Sequence, residues 1–240
     1  MLSNLTAILL LALSLDVYGV CLKKINLKTI LSTAWECEDG SISYDQPSGT
    51  SNYEGLCGPT AAANVFHAYC QRKFIEVQDV AEKYFYDITP GVRPDSMERG
   101  LNKLFENNPE CIDGEWKYYY VDNRWAFLDS LFHELRRGHG HLTRNLEDGG
   151  KAKRSPVLVL LRTNGKNLHW VTVVDIVGHQ PGTKDKWAYL KAQCQVIYNE
   201  SGNQTSEDCS SFVRKAEEVN DHWYTQLTLP PYVHLVFEKK

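Results

Sequence analysis

The chain has 240 residues, of which 42% are hydrophobic and 23% are charged, and its formal net charge at pH 7 is −4. This is an ordinary globular composition, and it is sufficient for one sizeable hydrophobic core. The basic residues do not cluster, and they do not alternate with aromatic residues as they do in nucleic-acid grooves. The composition therefore gives no reason to expect nucleic-acid binding.

Residues 1–19 have the features of a secretory signal peptide, with cleavage expected after Gly19. Their apolar run is shorter than the ~20 residues that a membrane-spanning helix needs, and no other segment is both long and apolar enough. The sequence therefore predicts a secreted or periplasmic protein without a stable membrane anchor. Residues 20–240 are expected to form one domain, in which the irregular segment 20–51 wraps around the remainder.

Cys57 lies in the motif Gly-Leu-Cys-Gly-Pro, directly before a helix-forming run that extends to Tyr69. Pro59 suits a first helical turn, where its missing N–H has no partner to lose. Cys57 is therefore predicted to stand at a helix N-terminus. The unpaired N–H groups and the helix dipole there stabilise an anion, which favours the reactive thiolate. The alternative is that Cys57 forms one half of a disulfide.

The later part of the chain changes from helical to strand periodicity. Apolar residues have helical spacing in segments 75–85, 96–105 and 123–135, and segment 116–121 is predicted to be a short strand. From residue 155 onward, strands are predicted over residues 156–161, 167–178, 187–199 and 223–238. This order predicts an α+β fold, with a helical first half packed on an antiparallel sheet or half-barrel in the second half.

Two polar residues at strand ends complete a candidate catalytic set with Cys57. His169 opens an apolar, β-branched strand, and Asn199 ends a later one shortly before Gly202. A thiol nucleophile needs a base within hydrogen-bonding reach, and the base needs a third group that orients its ring. Asp175 is the alternative third member, because it lies on the strand of His169 and an even number of residues away.

The seven cysteines fit this interpretation. If Cys57 is a free nucleophile, six cysteines remain for three disulfides in an oxidising compartment. Six cysteines allow fifteen pairings, among which short separation favours Cys21 with Cys37 and Cys194 with Cys209. Buried free thiols are the alternative.

Together these motifs resemble the papain-like cysteine peptidases, and more closely the bacterial branch that includes the bacteriocin-leader peptidases. The resemblance covers roughly Asn52 to Gly202. It implies a Cys57–His169–Asn199 site and neither a metal nor an organic cofactor. It also implies an oxyanion-binding amide before the cysteine. The usual glutamine six positions upstream is replaced here by Ser51, which leaves Asn52 as the preferred candidate and Gln46 as the second.

The resemblance implies hydrolysis of a protein or peptide substrate through an acyl-enzyme on Cys57. A related alternative is a peptidoglycan amidase, which would act on cell-wall peptides, or a transglutaminase-like acyltransferase. An alternative from another class is a secreted binding protein on the same fold, without catalysis.

Overall fold

The structure, a computed structural model, describes residues 21–25, 34–37, 39–46, 55–85, 91–140, 142–145, 151–163, 167–182, 193–217 and 232–240. The predicted signal peptide and Asn52 lie outside the described residues.

The described part of the chain is mixed α+β. Its strands are β1 (Cys21–Ile25), β2 (Ala34–Cys37), β3 (Ile42–Tyr44), β4 (Gly114–Val121), β5 (Leu142–Asn145), β6 (Lys151–Arg154), β7 (Val157–Thr163), β8 (Asn167–Val177), β9 (Gln195–Glu200), β10 (Asn203–Asp208) and β11 (Tyr232–Lys239). Its five helices are α1 (Cys57–Tyr69), α2 (Val77–Tyr84), α3 (Pro94–Glu106), α4 (Arg124–Leu135) and α5 (Cys209–Glu217).

The centre of the fold is a six-stranded antiparallel sheet with the strand order β10-β9-β8-β7-β11-β4. The sheet is open, since β10 and β4 remain as its two edges. Along β7, Leu158 and Leu160 belong to one hydrophobic core, whereas Val157, Val159 and Leu161 belong to the other. This alternation shows that both faces of the sheet are buried.

Helices cover the two faces. On one face, α1 and α3 contribute residues such as Phe66 and Leu101 to the first core. On the other face, α4 and α5 contribute residues such as Phe127 and Phe212 to the second core. Every residue of α1 from Cys57 to Tyr69 is buried. Because α1 is enclosed on all sides, the position of its N-terminus is fixed by packing.

A second, three-stranded antiparallel sheet has the order β1-β2-β3 and adjoins α1, β9 and β10. Its β3 residue Tyr44 is fully buried and packs with Ala63 of α1 in a third core. The predicted irregular wrap is therefore in part a regular sheet. The sequence pattern missed it because β2 and β3 have four and three residues, too few for a visible alternation.

Three disulfides are present, and Cys57 is the free cysteine. The two local pairs, Cys21–Cys37 and Cys194–Cys209, were predicted, and the third joins Cys70 to Cys111. Three disulfides are typical of proteins in oxidising compartments. Among the described residues, no helix is long and apolar enough to cross a membrane.

The predicted α+β class is confirmed, but the division into a helical half and a sheet half is too simple. Strand β4 from the first half joins the large sheet at its edge, and α5 lies in the second half. The chain thus builds a sheet covered on both faces, and not one layer of helices on one layer of strands.

Candidate active site

Cys57 is the first residue of α1, as the motif predicts. The first helical hydrogen bond of this turn runs from the N–H of Thr60 to the carbonyl of Leu56, at 2.9 Å. The N–H groups of Cys57 and Gly58 precede that bond, in the part of a helix that lacks internal partners. These N–H groups and the positive end of the helix dipole stabilise negative charge near the Cys57 side chain.

Gly58 has a packing role in this turn. A Cβ atom at Gly58 would lie 2.6 Å from Cγ2 of Val92 and 3.2 Å from Cε of Met97. The segment before α3 therefore approaches the start of α1 too closely for any larger residue. The glycine after the cysteine lets this segment cover the helix N-terminus.

His169, near the start of β8, lines the same small cleft as Cys57, close enough for the two side chains to interact electrostatically. The neighbouring residue Trp170 fixes this end of the strand, because its Nε1 donates a hydrogen bond to the carbonyl of Val92 at 2.7 Å. The predicted nucleophile and base are therefore brought together by α1 and β8.

The partner of the imidazole is Glu200, the last residue of β9. Nε2 of His169 lies 3.1 Å from Oε1 of Glu200, which is an ion-pair distance, although the ring N–H is not well aligned with that oxygen. The His169 side chain is only 15% exposed. The two groups therefore interact in a site that is largely shielded from water.

Burial alone would lower the pKa of His169, but the contacts with Cys57 and Glu200 outweigh it and raise the pKa to about 9. The same contact with His169 outweighs burial at Glu200 and lowers the pKa of that carboxyl group. At neutral pH the imidazole is therefore protonated and the carboxylate is ionised. A protonated imidazole beside a sulfur atom favours the thiolate.

Asn199 was predicted to orient the ring of His169, but its hydrogen bonds go to other residues. Its amide donates hydrogen bonds to Oγ of Ser41 at 2.8 Å and to the carbonyl of Ile42 at 3.0 Å. Its Oδ1 accepts a hydrogen bond from Nε2 of Gln204 at 2.9 Å. The structure thus places Glu200, and not Asn199, at the imidazole.

Sheet register explains this correction. Thr172 of β8 lies opposite Asn199 of β9, so these two residues share a face. Side chains alternate along a strand, so His169, an odd number of positions from Thr172, has the opposite facing. Glu200 follows Asn199 directly and therefore shares the face of His169. The register between β8 and β9, which the sequence does not show, decides which of two adjacent polar residues lies beside the imidazole of His169.

Asp175 does not serve as the alternative partner. Its Oδ1 lies 3.2 Å from Nη1 of Arg154 in a buried ion pair. The even spacing from His169 predicted a shared face, but the register of β8 shifts between Val173 and Asp175. This irregularity breaks the two-residue alternation on which the prediction depended.

Gln46 follows β3 by two residues and lines the cleft together with Cys57 and His169. It was the second choice for the oxyanion-binding amide. The first choice, Asn52, lies outside the described residues, so Gln46 is the candidate that the structure describes at the cleft.

The site combines a free thiol at a helix N-terminus, a protonated imidazole, an ionised carboxylate and a side-chain amide. These groups are suited to attack on a carbonyl carbon followed by protonation of a leaving group. In the described residues no cluster of three or more His, Cys, Asp or Glu side chains is placed to hold a metal ion.

Neither a protein-family model nor a curated protein matches the chain. The functional proposal therefore depends on the geometry of the site.

Proposed function

We propose that the chain is a secreted cysteine peptidase of papain-like type that hydrolyses peptide bonds through an acyl-enzyme on Cys57. The observation that carries the proposal is that the free Cys57, at the N-terminus of α1, lines one cleft with His169, whose pKa is raised to about 9. An ordinary buried histidine has a lowered pKa, as His234 has at about 4 because of desolvation. The His169 side chain is also mostly shielded, with 15% exposed, yet its pKa is raised and not lowered.

In the first step, the Cys57 thiolate attacks the carbonyl carbon and forms a C–S bond. The developing oxyanion accepts hydrogen bonds from the Cys57 N–H and from the amide of Gln46. The C–N bond then breaks, and His169 gives its proton to the leaving amine. The product of this step is a thioester on Cys57.

In the second step, the now neutral His169 removes a proton from water, and the hydroxide attacks the thioester. The C–S bond breaks, the carboxylic acid leaves, and Cys57 returns as thiolate beside a protonated His169. Throughout the cycle Glu200 orients the imidazole and stabilises its charged form, in the place where papain-like enzymes have an asparagine.

The carboxylate at the third position also favours a second candidate function, because transglutaminase-like enzymes and peptidoglycan amidases use the order Cys, His and Asn or Asp. In the former, the acyl-enzyme passes its acyl group to an amine. In the latter, the acyl-enzyme forms from a cell-wall peptide. The resemblance of the Cys57 and His169 motifs favours the peptidase, and the distinction is one of substrate, because the chemistry at Cys57 is shared.

A substrate comparison tests the proposal. Purified mature protein is incubated with carboxymethylated casein, with muropeptides, and with casein plus a primary amine, and products are identified by mass spectrometry. We expect new peptide ends from casein that disappear in Cys57→Ala and His169→Ala. Products from muropeptides alone, or amine-linked casein alone, would establish the second function. Turnover of none of them would favour the non-catalytic binding protein.

A further inference from the structure

Asn199 connects the two sheets of the molecule at the edge of the site. It is 1% exposed, and its amide bonds both Ser41 and Ile42 of the N-terminal segment. On its own sheet, Asn199 lies opposite Gln204 in the β9–β10 register, and the Gln204 amide bonds the oxygen of Asn199. The amide nitrogen of Asn199 thus donates two hydrogen bonds and its oxygen accepts one, so these three bonds fix the orientation of the side chain.

The remaining residues of β3 are anchored as well. Oγ of Ser43 donates to the carbonyl of Asn203 at 2.9 Å, and Nε2 of Gln204 donates to Oγ of Ser41 at 3.1 Å. Both bonds add to those that Asn199 makes from the same β9–β10 hairpin. The N–H of Tyr44 donates to Oδ1 of Asn64 at 3.0 Å, which bonds the strand to α1. Each residue from Ser41 to Tyr44 therefore has a partner on α1 or on the β9–β10 hairpin.

Asp45, which follows β3, is held from two sides. Its Oδ1 accepts a hydrogen bond from Nε1 of Trp35 at 3.2 Å. A Cβ atom on Gly202 would lie 1.7 Å from the same oxygen, so the turn after Glu200 is in tight contact with Asp45. The next residue is Gln46, at the cleft.

We propose that Asn199 is a positioning residue that acts through β3 on Gln46, and not through the imidazole. Its buried amide fixes β3 against the end of β9, and β3 delivers the Gln46 side chain to the carbonyl oxygen of the substrate. Catalytic donors are effective only when they are held in place before the reaction. This inference rests on the proposed function, because it assigns the oxyanion-binding part of the same site.

Two reactions of Cys57 separate this role from a role at the base. Alkylation by iodoacetamide displaces iodide and develops no oxyanion on a carbonyl, so its rate reports only the thiolate and His169. Acylation by benzyloxycarbonylglycine p-nitrophenyl ester passes through an oxyanion, so its rate also reports Gln46. Both rates are measured on the disulfide-intact protein, and thermal unfolding shows whether each variant folds.

For Asn199→Ala we expect acylation to fall at least about tenfold, toward the roughly 10²–10³ that loss of one oxyanion donor costs. The rate and pH profile of alkylation are expected to be unchanged. Gln46→Ala should lose as much acylation or more, and the double variant should lose no more than Gln46→Ala alone. Asn203→Ala is the matched control on the same hairpin and should match the wild type, because its side chain is exposed and donates a long hydrogen bond, 3.5 Å, to the carbonyl of Ser201.

Three results would overturn the inference: wild-type acylation in Asn199→Ala, losses that multiply in the double variant, or a parallel fall of alkylation. If Asn199→Ala does not fold, Ser41→Ala removes the bond from Asn199 to Oγ of Ser41, together with the bond from Gln204 to the same oxygen, and it is judged by the same criteria. Slow alkylation of the wild type would instead contradict the proposed function, so the two failures are distinguishable.

Discussion

Among single residues, Glu200 and His169 form the charge pair on which the proposed chemistry depends. The carboxylate lies 3.1 Å from the imidazole, and it contributes to a His169 pKa of about 9. Because this pKa is above the ordinary value of ~6.5, the charged imidazole stabilises the folded protein fully below about pH 6.5. That contribution is lost as the pH rises through about 9. A protonated His169 is also needed for the leaving amine, so peptidase activity should decline over the same alkaline range.

Glu200→Gln removes the charge but keeps the size and the polarity of the side chain. We expect the alkaline limb of the activity profile to move to lower pH, since Glu200 raises the pKa of His169. Activity at neutral pH should fall roughly 10- to 100-fold, the worth of a hydrogen bond to a charged group. The measurement is kcat/KM for casein-derived peptides as a function of pH.

Glu207→Gln is the control for this substitution, because Glu207 lies on the adjacent strand β10 and pairs with Lys215 at 2.9 Å. Its activity profile should match that of the wild type. An unchanged alkaline limb in Glu200→Gln would show that Glu200 does not act on His169.

The polar residues of the site show what the sequence could predict at this scale. Cys57 and His169 could be predicted as candidates because a glycine-proline frame and a strand start are local features, and the structure places both at one cleft. Glu200 was missed by one position, since the choice between it and Asn199 depends on pairing with β8. The Asp175 prediction failed at the register shift in β8, which has no signature in the spacing of apolar residues.

The β9–β10 hairpin is the element that holds Glu200 and Asn199 at the site. Glu200 pairs with Asn203, and the two residues between them, Ser201 and Gly202, have φ values of +44° and +82°. Positive φ at both central positions is the pattern of a type I′ turn, which matches the twist of an antiparallel pair. The turn thus fixes the end of β9 and brings Gly202 against Asp45.

Gly202→Ala should destabilise the protein by roughly 1–3 kcal/mol and also lower activity. The left-handed φ is strained for alanine, and the new Cβ would push Asp45 and the following Gln46 out of position. Stability is measured by urea unfolding, and activity by peptide hydrolysis well below the unfolding transition.

Gly40→Ala separates the two causes. Gly40 has nearly the same φ, +76°, but a Cβ there would meet nothing within 4 Å. It should lose only the stability that the strained φ costs, with activity retained. Equal loss of activity in both variants would mean that contact with Asp45 is not what matters.

The whole molecule is organised around α1, which contacts both sheets. It has the proposed nucleophile Cys57 at one end and Cys70 just beyond the other. The helix has 13 residues, so its ends are about 20 Å apart. The Cys70–Cys111 disulfide therefore constrains the fold at a distance from the site. Loss of the Cys70–Cys111 disulfide should therefore affect stability, whereas substitution of Cys57 should affect catalysis.

Replacement of both Cys70 and Cys111 by alanine should lower the free energy of unfolding by about 3–4 kcal/mol, because the disulfide closes a long loop. The folded fraction should keep its activity. Cys57→Ala should abolish activity with a much smaller change in stability, since no cross-link is lost. Urea unfolding and peptide hydrolysis are measured on both variants. Loss of activity in the folded double variant would contradict this separation.

The architecture was predictable in part. The α+β class follows from periodicity, and the two local disulfides were the plausible ones among the fifteen pairings that the sequence leaves open. The insertion of β4 beside β11 and the placement of α4 and α5 on the second face depend on contacts between distant residues. Strands β2 and β3 are too short for their pattern to be visible, although β3 leads directly to Gln46.

The rate of Cys57 alkylation by iodoacetamide, with the modified residue mapped by mass spectrometry, decides whether His169 activates the thiol. We expect modification of Cys57 alone, at a rate well above that of a free cysteine at the same pH. This fast reaction should be lost in His169→Ala. A rate no faster than that of a free cysteine, and the same in His169→Ala, would contradict the proposed nucleophile.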